Sequence, residues 1–149
     1  FLLLNPMGVS MSFRIPRALS ALGLFLVLAS PAAAQKAKVA KSTEPSYDGR
    51  PLSSWVEDLS GASPYTRHSA AYAIASMGPK GAPAVPALIK GLEDSESTVR
   101  YACALSLREI GPGAKDAVEP LRKLLDDRSE DVASMARKAI KAISGEVVE

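Results

Sequence analysis

A 33-residue internal repeat is the feature that most restricts what this chain can fold into. From Leu52 onward, apolar residues recur at this offset without a gap, and Leu52, Val85 and Val118 begin the three copies. The pair Gly78-Pro79 recurs as Gly111-Pro112. A unit of this length cannot bury its apolar face alone, so such repeats stack on one another. The sequence therefore predicts a solenoid of three stacked units.

Each unit contains two helical patterns separated by a polar turn. Within residues 85–92, four apolar residues have the i, i+3, i+4, i+7 spacing of one helix face. Residues 99–110 form a second such face, whose small residues allow close helix packing. In the first unit, Ser63 is a favourable N-cap and Pro64 a favourable first helical residue. We predict an all-α, right-handed α-solenoid of three helical hairpins with six helices. The repeat domain is placed at 50–149, with units at about 52–84, 85–117 and 118–149.

The third unit has the features of a terminal cap. Arg122 occupies the position of apolar residues in the other units, and Ala133 replaces a repeated arginine. Arg137 and Lys138 stand where the second unit has alanine and leucine. The last repeat of a solenoid needs such a polar outer face to stay soluble.

The segments at 66–88 and 99–121 resemble HEAT repeats, and most closely the short HEAT-like repeats first described in phycobilisome lyases. The lead-in at 47–55, Tyr-Asp-Gly-Arg-Pro-Leu-Ser-Ser-Trp, is similar to that of secreted bacterial HEAT proteins. Ankyrin repeats share the 33-residue period, but the Thr-Pro-Leu-His element that marks them is absent here. The resemblance covers about residues 47–144 and implies a fold rather than one activity.

Two enzymatic possibilities follow from this resemblance. HEAT-like bilin lyases attach or isomerise tetrapyrroles, and the HEAT-fold deoxyhypusine hydroxylase binds iron through repeated His-Glu pairs. His68 is the one histidine of the chain and no His-Glu dipeptide occurs, which excludes that iron site. No residues support a bilin-lyase-like enzyme, which stays the weakest alternative. We therefore predict a protein that is not an enzyme, with no catalytic residue, no cofactor and no metal site.

Cys103 and an acidic cluster each have a structural explanation. Cys103 lies on an apolar helix stripe, at a position filled by alanine in the other units, so a buried spacer is favoured over a nucleophile. The acidic cluster lacks the alternating ligands and central glycine of a calcium loop. Its residues are expected near a helix start, where they interact favourably with the helix dipole. The cluster consists of Asp126, Asp127, Glu130 and Asp131.

Arg67 and Arg100 occupy equivalent positions and allow two interpretations. They could form an anion-binding ladder along the solenoid. The resemblance implies instead that each arginine pairs with a turn aspartate and joins adjacent units, and Asp94 is a candidate partner for one of them. The structural interpretation is favoured, because a carboxylate that matches the guanidinium fork lies nearby in the sequence.

Residues 11–34 have the organisation of a secretory signal peptide. A positive start with two arginines is followed by an apolar stretch of 12 residues at 18–29 and by Ala32-Ala33-Ala34. We predict cleavage between Ala34 and Gln35 and export to the periplasm or the medium. The apolar stretch falls short of the about 20 residues that span a membrane. An uncleaved anchor is therefore the less favoured alternative, and no stable membrane insertion is expected after cleavage.

The charge of the chain argues against a nucleic-acid partner. Cleavage would remove two of the 18 basic residues, Arg14 and Arg17, and leave 16, which equals the 16 acidic residues. A neutral chain lacks the electrostatic attraction to phosphates on which nucleic-acid binding depends. Residues 1–10 are interpreted as an over-extended, non-native start or a fragment edge, and the polar residues 35–49 as a disordered linker.

One further stripe runs along the second helix of each unit, away from the predicted core positions. Aromatic residues and arginine are enriched in protein interfaces, so we predict a non-catalytic protein-interaction scaffold with an unidentified protein partner. A structural or self-associating module is the alternative, because the same side chains could pack between adjacent units. The predicted contact stripe consists of His68, Tyr72, Tyr101, Leu105 and Arg108, with Lys138 and Lys141 at its rim.

Overall fold

The computed structural model describes residues 43–147. The predicted signal peptide, the residues upstream of it and residues 35–42 of the predicted linker therefore lie outside the described part of the chain. None of the described helices is long and apolar enough to cross a membrane.

Three pairs of α-helices follow a short β-hairpin. The hairpin pairs β1 (Ser46–Tyr47) with β2 (Arg50–Pro51) in antiparallel register. The helix pairs are α1 (Leu52–Asp58) with α2 (Pro64–Ser76), α3 (Val85–Gly91) with α4 (Ser97–Ile110), and α5 (Val118–Arg122) with α6 (Glu130–Ser144). The segments Gly78–Ala84 and Gly111–Ala117, which connect the pairs, and Lys123–Asp126, which extends α5, are 3₁₀-helical. This arrangement confirms the predicted all-α helical repeat.

The second helices of the pairs, α2, α4 and α6, form the centre of the protein. α4 packs along α2 on one side and along α6 on the other, in the two most extensive contacts between elements. Small residues line these contacts, because only short side chains let two helix backbones approach closely. Ile74, Leu107 and Ile140 hold equivalent positions and are completely buried. Burying each such side chain stabilises the fold by about 1.5–3 kcal/mol before the ordering cost.

One buried hydroxyl joins two neighbouring units. The Ser106 Oγ lies 2.6 Å from the main-chain carbonyl oxygen of Ala71 on α2 and 2.8 Å from that of Ala102 on its own helix. The single hydroxyl hydrogen is thus placed between two acceptors, and the serine is completely buried. A buried hydroxyl without such partners would cost free energy, so this bond explains how a polar side chain is accommodated in the seam.

A matched pair of residues sets the distance between α3 and α4. A Cβ atom added to Gly91 would overlap the sulfur of Cys103. In the other two units the glycine position holds Asp58 or Leu124, and the cysteine position holds alanine. The larger side chain on one helix is therefore matched by a smaller one on the other, as close packing demands.

The hairpin corrects the prediction of a disordered linker over residues 35–49, because residues 46–49 are folded. Asp48 (φ 51°) and Gly49 (φ 72°) both adopt left-handed backbone, the conformation of a tight hairpin turn. Just before the hairpin, the Glu44 carboxylate accepts hydrogen bonds from the main-chain N–H of Ser53 at 2.5 Å and from its hydroxyl at 3.2 Å. The carboxylate thereby caps the start of α1, which is why this polar segment is ordered.

Two arginine–aspartate pairs connect the turns of successive units. Arg67 donates to the two carboxylate oxygens of Asp94 at 2.7 and 2.9 Å. Arg100 repeats this geometry with Asp127, at 2.8 Å for both bonds. Both carboxylates also accept a main-chain N–H two residues ahead, at the start of α4 or α6. Ser63 is the N-cap residue of α2 as predicted, but its side chain makes no capping hydrogen bond.

Candidate protein-contact surface

His68 and Tyr72 begin the predicted contact stripe on α2. They are four residues apart, which places both side chains on one face of the helix, and their ring centroids lie 4.8 Å apart in a tilted arrangement. Tyr72 is 40% exposed, whereas His68 is half-buried. A large, partly apolar ring is therefore available at the surface, and its orientation is set by a neighbouring ring.

Tyr72 and Leu105 meet across the boundary between the first and second units. They line one open cleft with a volume of about 430 Å³. The cleft also includes Gly78, whose positive φ of 55° turns the chain out of the end of α2. Ser76 also lines the cleft, and one charged group, the Glu109 carboxylate, adjoins it. The cleft can thus receive an apolar side chain between two repeats.

Tyr101 and Leu105 on α4 are less accessible than the predicted stripe requires. Both are half-buried and pack against the hydrophobic core. Part of each side chain therefore serves the packing between units, as the structural alternative proposes, while the remainder faces solvent.

Arg108 reaches towards the third unit. Its guanidinium makes an ion pair with the neighbouring Glu109, in which the Nε–Oε1 distance is 3.0 Å. Its Nη1 lies 3.8 Å from the sulfur of Met135 on α6. The guanidinium charge is thus balanced by an adjacent carboxylate, and the Arg108 side chain is half-buried.

Lys138 and Lys141 lie exposed on α6, at the far end of the stripe. Among residues 43–147 neither makes a hydrogen bond or an ion pair. Their ammonium groups add two positive charges to this end, in contrast to the aromatic end on α2. The structure therefore gives the stripe an apolar first part and a cationic last part.

A second aromatic group adjoins the stripe and was not predicted. Tyr47 of the hairpin lies 6.5 Å from Trp55 of α1, between ring centroids, and the Arg50 guanidinium lies 3.8 Å above the indole ring. Tyr65 at the start of α2 is 79% exposed. Tyr65 could have been found from its i, i+7 spacing to Tyr72, but the contact between Tyr47 and Trp55 depends on the hairpin. With residues of α2 they line a cleft of about 360 Å³.

The remaining candidate groups are engaged in structural contacts. Burial raises the pKa of Cys103 to about 12, with a smaller contribution from the charge of Asp94, so the thiol stays protonated and unreactive at neutral pH. Asp127 binds Arg100, while Glu130 and Asp131 occupy the first turn of α6, where they interact favourably with the helix dipole. Within the described range there is no group of three or more His, Cys, Asp or Glu residues that could hold a metal ion.

A search of curated proteins finds no match to the chain, whereas a comparison with protein families agrees with this architecture. A comparison with protein families matches residues 52–141, from the start of α1 into the last turn of α6, to HEAT repeats. The match spans all three helix pairs and well over half of the chain, and the chain therefore belongs to the HEAT repeat family.

Proposed function

We propose that this protein is a non-catalytic scaffold whose contact stripe binds a segment of another protein. HEAT repeats commonly serve as protein-interaction scaffolds. The observation that carries the proposal is one column of equivalent positions, Tyr72, Leu105 and Lys138, which crosses the three second helices, with Tyr72 and Lys138 exposed and Leu105 half-buried between them.

The column indicates what kind of segment fits. Adjacent packed helices are about 8–10 Å apart, so the column from α2 to α6 spans about 20 Å. An extended peptide of about six residues covers that distance. The apolar end over Tyr72 and Leu105 favours a large apolar side chain, and the ammonium groups of Lys138 and Lys141 favour a carboxylate. We infer a partner segment with an apolar residue at one end and acidic residues at the other.

The experiment compares two variants with the same change of charge. The stripe variant carries Tyr72→Ala, Lys138→Glu and Lys141→Glu, all at exposed positions. The control variant carries Lys90→Glu and Lys123→Glu, which are also exposed but lie on α3 and on the 3₁₀ segment that extends α5. Tyr101 is left unchanged, because its packing against the core would confound the result.

Affinity capture from an envelope extract, quantified by mass spectrometry, should recover a partner with the wild type and the control. The stripe variant should lose that partner while its circular dichroism spectrum keeps the helical signal. An identical set of captured proteins for all three forms would reject the stripe as the binding site. Visible tetrapyrrole absorbance in the purified protein would instead favour the bilin-lyase alternative.

We also propose that the protein acts after export. The support is the organisation of residues 11–34, with its positive start, short apolar stretch and small residues before Gln35. N-terminal sequencing of the protein from a periplasmic or culture fraction should find Gln35 as the first residue. Replacing Ala34 with arginine should leave the precursor uncleaved. A cytosolic protein that retains Arg14 and Arg17 would contradict export.

A further inference from the structure

Arg108 and Glu109 form an ion pair in the contact stripe that engages only one of the two carboxylate oxygens. The Nε and Nη2 groups of Arg108 both donate to Oε1 of Glu109. Arg67 and Arg100 use the same two groups to bind both oxygens of one carboxylate. The Arg108 side chain is therefore paired, but without the two-pronged geometry that makes arginine–carboxylate contacts strong.

The Nη1 group of Arg108 also has a weaker acceptor than its counterparts. In Arg67 this group donates to two main-chain carbonyl oxygens, and in Arg100 it donates to two others. In Arg108 it lies 3.8 Å from the sulfur of Met135, and a thioether is a weak acceptor. The Arg108 guanidinium therefore keeps hydrogen-bonding capacity for the oxygens of a further group.

Two lysines on α6 place further positive charge beside Arg108. Lys141 holds the position in the third unit that Arg108 holds in the second, and Lys138 lies one turn before it on the same face. Packed helices lie about 8–10 Å apart, so equivalent residues on α4 and α6 are neighbours across the seam. The contact of Arg108 with Met135 on α6 places the guanidinium at this seam. Among the described residues, Glu109 is the one acid that makes an ion pair with these three cations.

The ion pair between Arg108 and Glu109 is open to exchange. The two residues are adjacent in the chain, and their side chains are 34% and 42% exposed. Ion pairs this exposed contribute little to stability, because water screens the charges and ordering two long side chains costs entropy. A carboxylate from another molecule that engages Nε and Nη2 through both of its oxygens makes the stronger contact. Charge complementarity therefore favours an acidic group at this seam.

We propose that Arg108 is the residue by which the contact stripe recognises a carboxylate side chain of its partner. The partner's carboxylate displaces Glu109 from the Nε and Nη2 groups of Arg108, and the ammonium groups of Lys138 and Lys141 attract it from the α6 side. This inference rests on the proposed partner site and adds to it the residue that selects an acidic group.

The position of Arg108 also sets the spacing of the two groups that the stripe recognises. The apolar cleft at Tyr72 and Leu105 lies between α2 and α4, whereas the carboxylate site lies between α4 and α6. The two sites are therefore about 8–10 Å apart, which is one distance between packed helices. In a polyproline II segment, residues three positions apart lie on one side and about 9 Å from each other. We expect the acidic residue of the partner segment three positions from its apolar residue.

Fluorescence polarisation with two synthetic probes tests this assignment on the full chain, as purified from the cells that express it. The probes are fluorescein-labelled hexapeptides of proline and serine with one phenylalanine and, three positions away, a glutamate or a glutamine. The wild type should bind the glutamate peptide about tenfold more tightly than the glutamine peptide. Arg108→Lys should lose most of this preference, because an ammonium group keeps the charge without the two-pronged contact. Arg128→Lys, at an exposed arginine of the turn before α6, is the matched control and should keep the preference.

Glu109→Gln gives a second readout of opposite sign. It weakens the competing contact, so affinity for the glutamate peptide should rise about threefold or more. Glu93→Gln makes the same change of charge at an exposed residue in the turn after α3 and should have little effect. Equal binding of both peptides by the wild type, or an unchanged preference in Arg108→Lys, would overturn the role of Arg108. A wild type that binds neither peptide at millimolar concentration would overturn it as well, whereas the scaffold proposal is judged by the capture experiment alone.

Discussion

Arg100 donates a 2.8 Å hydrogen bond to the main-chain carbonyl of Asp94, the residue whose carboxylate binds Arg67. Asp94 therefore connects the two arginine–aspartate pairs into one ladder along the turns. Each arginine closes its own turn through main-chain carbonyls and holds the next turn through a carboxylate. Because neighbouring pairs share a residue, we expect their contributions to stability to be coupled.

The ladder ends where the repeat pattern changes. Gly61 stands at the aspartate position of the first unit, and Ala133 stands at the arginine position of the third. The described part of the chain thus contains two arginine–aspartate pairs for three units. The ladder contributes to the order of the repeats and leaves neither guanidinium available for an anionic ligand, which supports the structural interpretation of Arg67 and Arg100.

Replacing Arg100 with lysine should destabilise the protein by about 2 kcal/mol, because an ammonium group keeps the charge but cannot make the two-pronged contact with Asp127. Urea unfolding followed by circular dichroism measures the change. Arg128→Lys is the control, since this arginine lies exposed in the same turn. Equal stability of the two variants would show that the two-pronged contact of Arg100 contributes nothing to the free energy of unfolding.

Because of the two arginine–aspartate pairs, we expect the protein to lose stability at acid pH. The hydrogen bond from Arg67 lowers the pKa of Asp94, and that from Arg100 lowers the pKa of Asp127, each against a smaller opposing effect of burial. A carboxyl group whose pKa is lower in the folded state stabilises the fold above its unfolded pKa of about 4. That stabilisation is lost as the pH falls from about 4 through the lower folded-state value.

Thermal unfolding from pH 7 to pH 2 tests this, with Asp127→Asn as the comparison. The wild type should unfold at a higher temperature than the variant near neutral pH. The difference in unfolding temperature between the wild type and the variant should stay constant down to about pH 5. It should then narrow below about pH 4, since the wild-type carboxyl becomes neutral there. A difference that persists unchanged at pH 2 would contradict the assigned role of Asp127.

Gly91 and Cys103 should behave as a coupled pair. Gly91→Ala alone should destabilise the protein by about 1–3 kcal/mol, because the new methyl group overlaps the buried sulfur. In a Cys103→Ala background the same change should be neutral or stabilising by up to about 1 kcal/mol, since alanine favours a helix more than glycine does. A double-mutant cycle from urea unfolding gives the coupling energy. Additive effects would mean that the sulfur is not the obstacle.

Ser106→Ala should lower the free energy of unfolding by about 1 kcal/mol, because the hydrogen bond to α2 is lost. Alanine already occupies the equivalent positions 73 and 139, so the methyl group fits the seam. The control is Ser76→Ala, because the Ser76 hydroxyl donates to Tyr72 of its own helix and is exposed. Differential scanning calorimetry should show a lower unfolding temperature for the first variant and little change for the second. Identical effects would assign the loss to helix propensity rather than to the contact between units.

The sequence by itself determined the repeat and its helical pairs. These features depend on residues close together in the chain, where apolar spacing and turn residues act locally, and the 33-residue offset repeats that local information three times. The burial of Cys103 also followed from comparing units, because alanine at both equivalent positions indicates a tight site.

Tertiary structure decided the contacts that cross between elements. The close packing of Gly91 against Cys103, the bond from Ser106 to Ala71, and the different exposure of Tyr72 and Tyr101 all depend on how closely neighbouring helices approach. The ordered hairpin likewise depends on the aromatic contact of Tyr47 with Trp55. Helical periodicity gives the direction of each side chain around its own axis. It does not give the distance to the next helix, which is set by the combined volumes of all side chains between them.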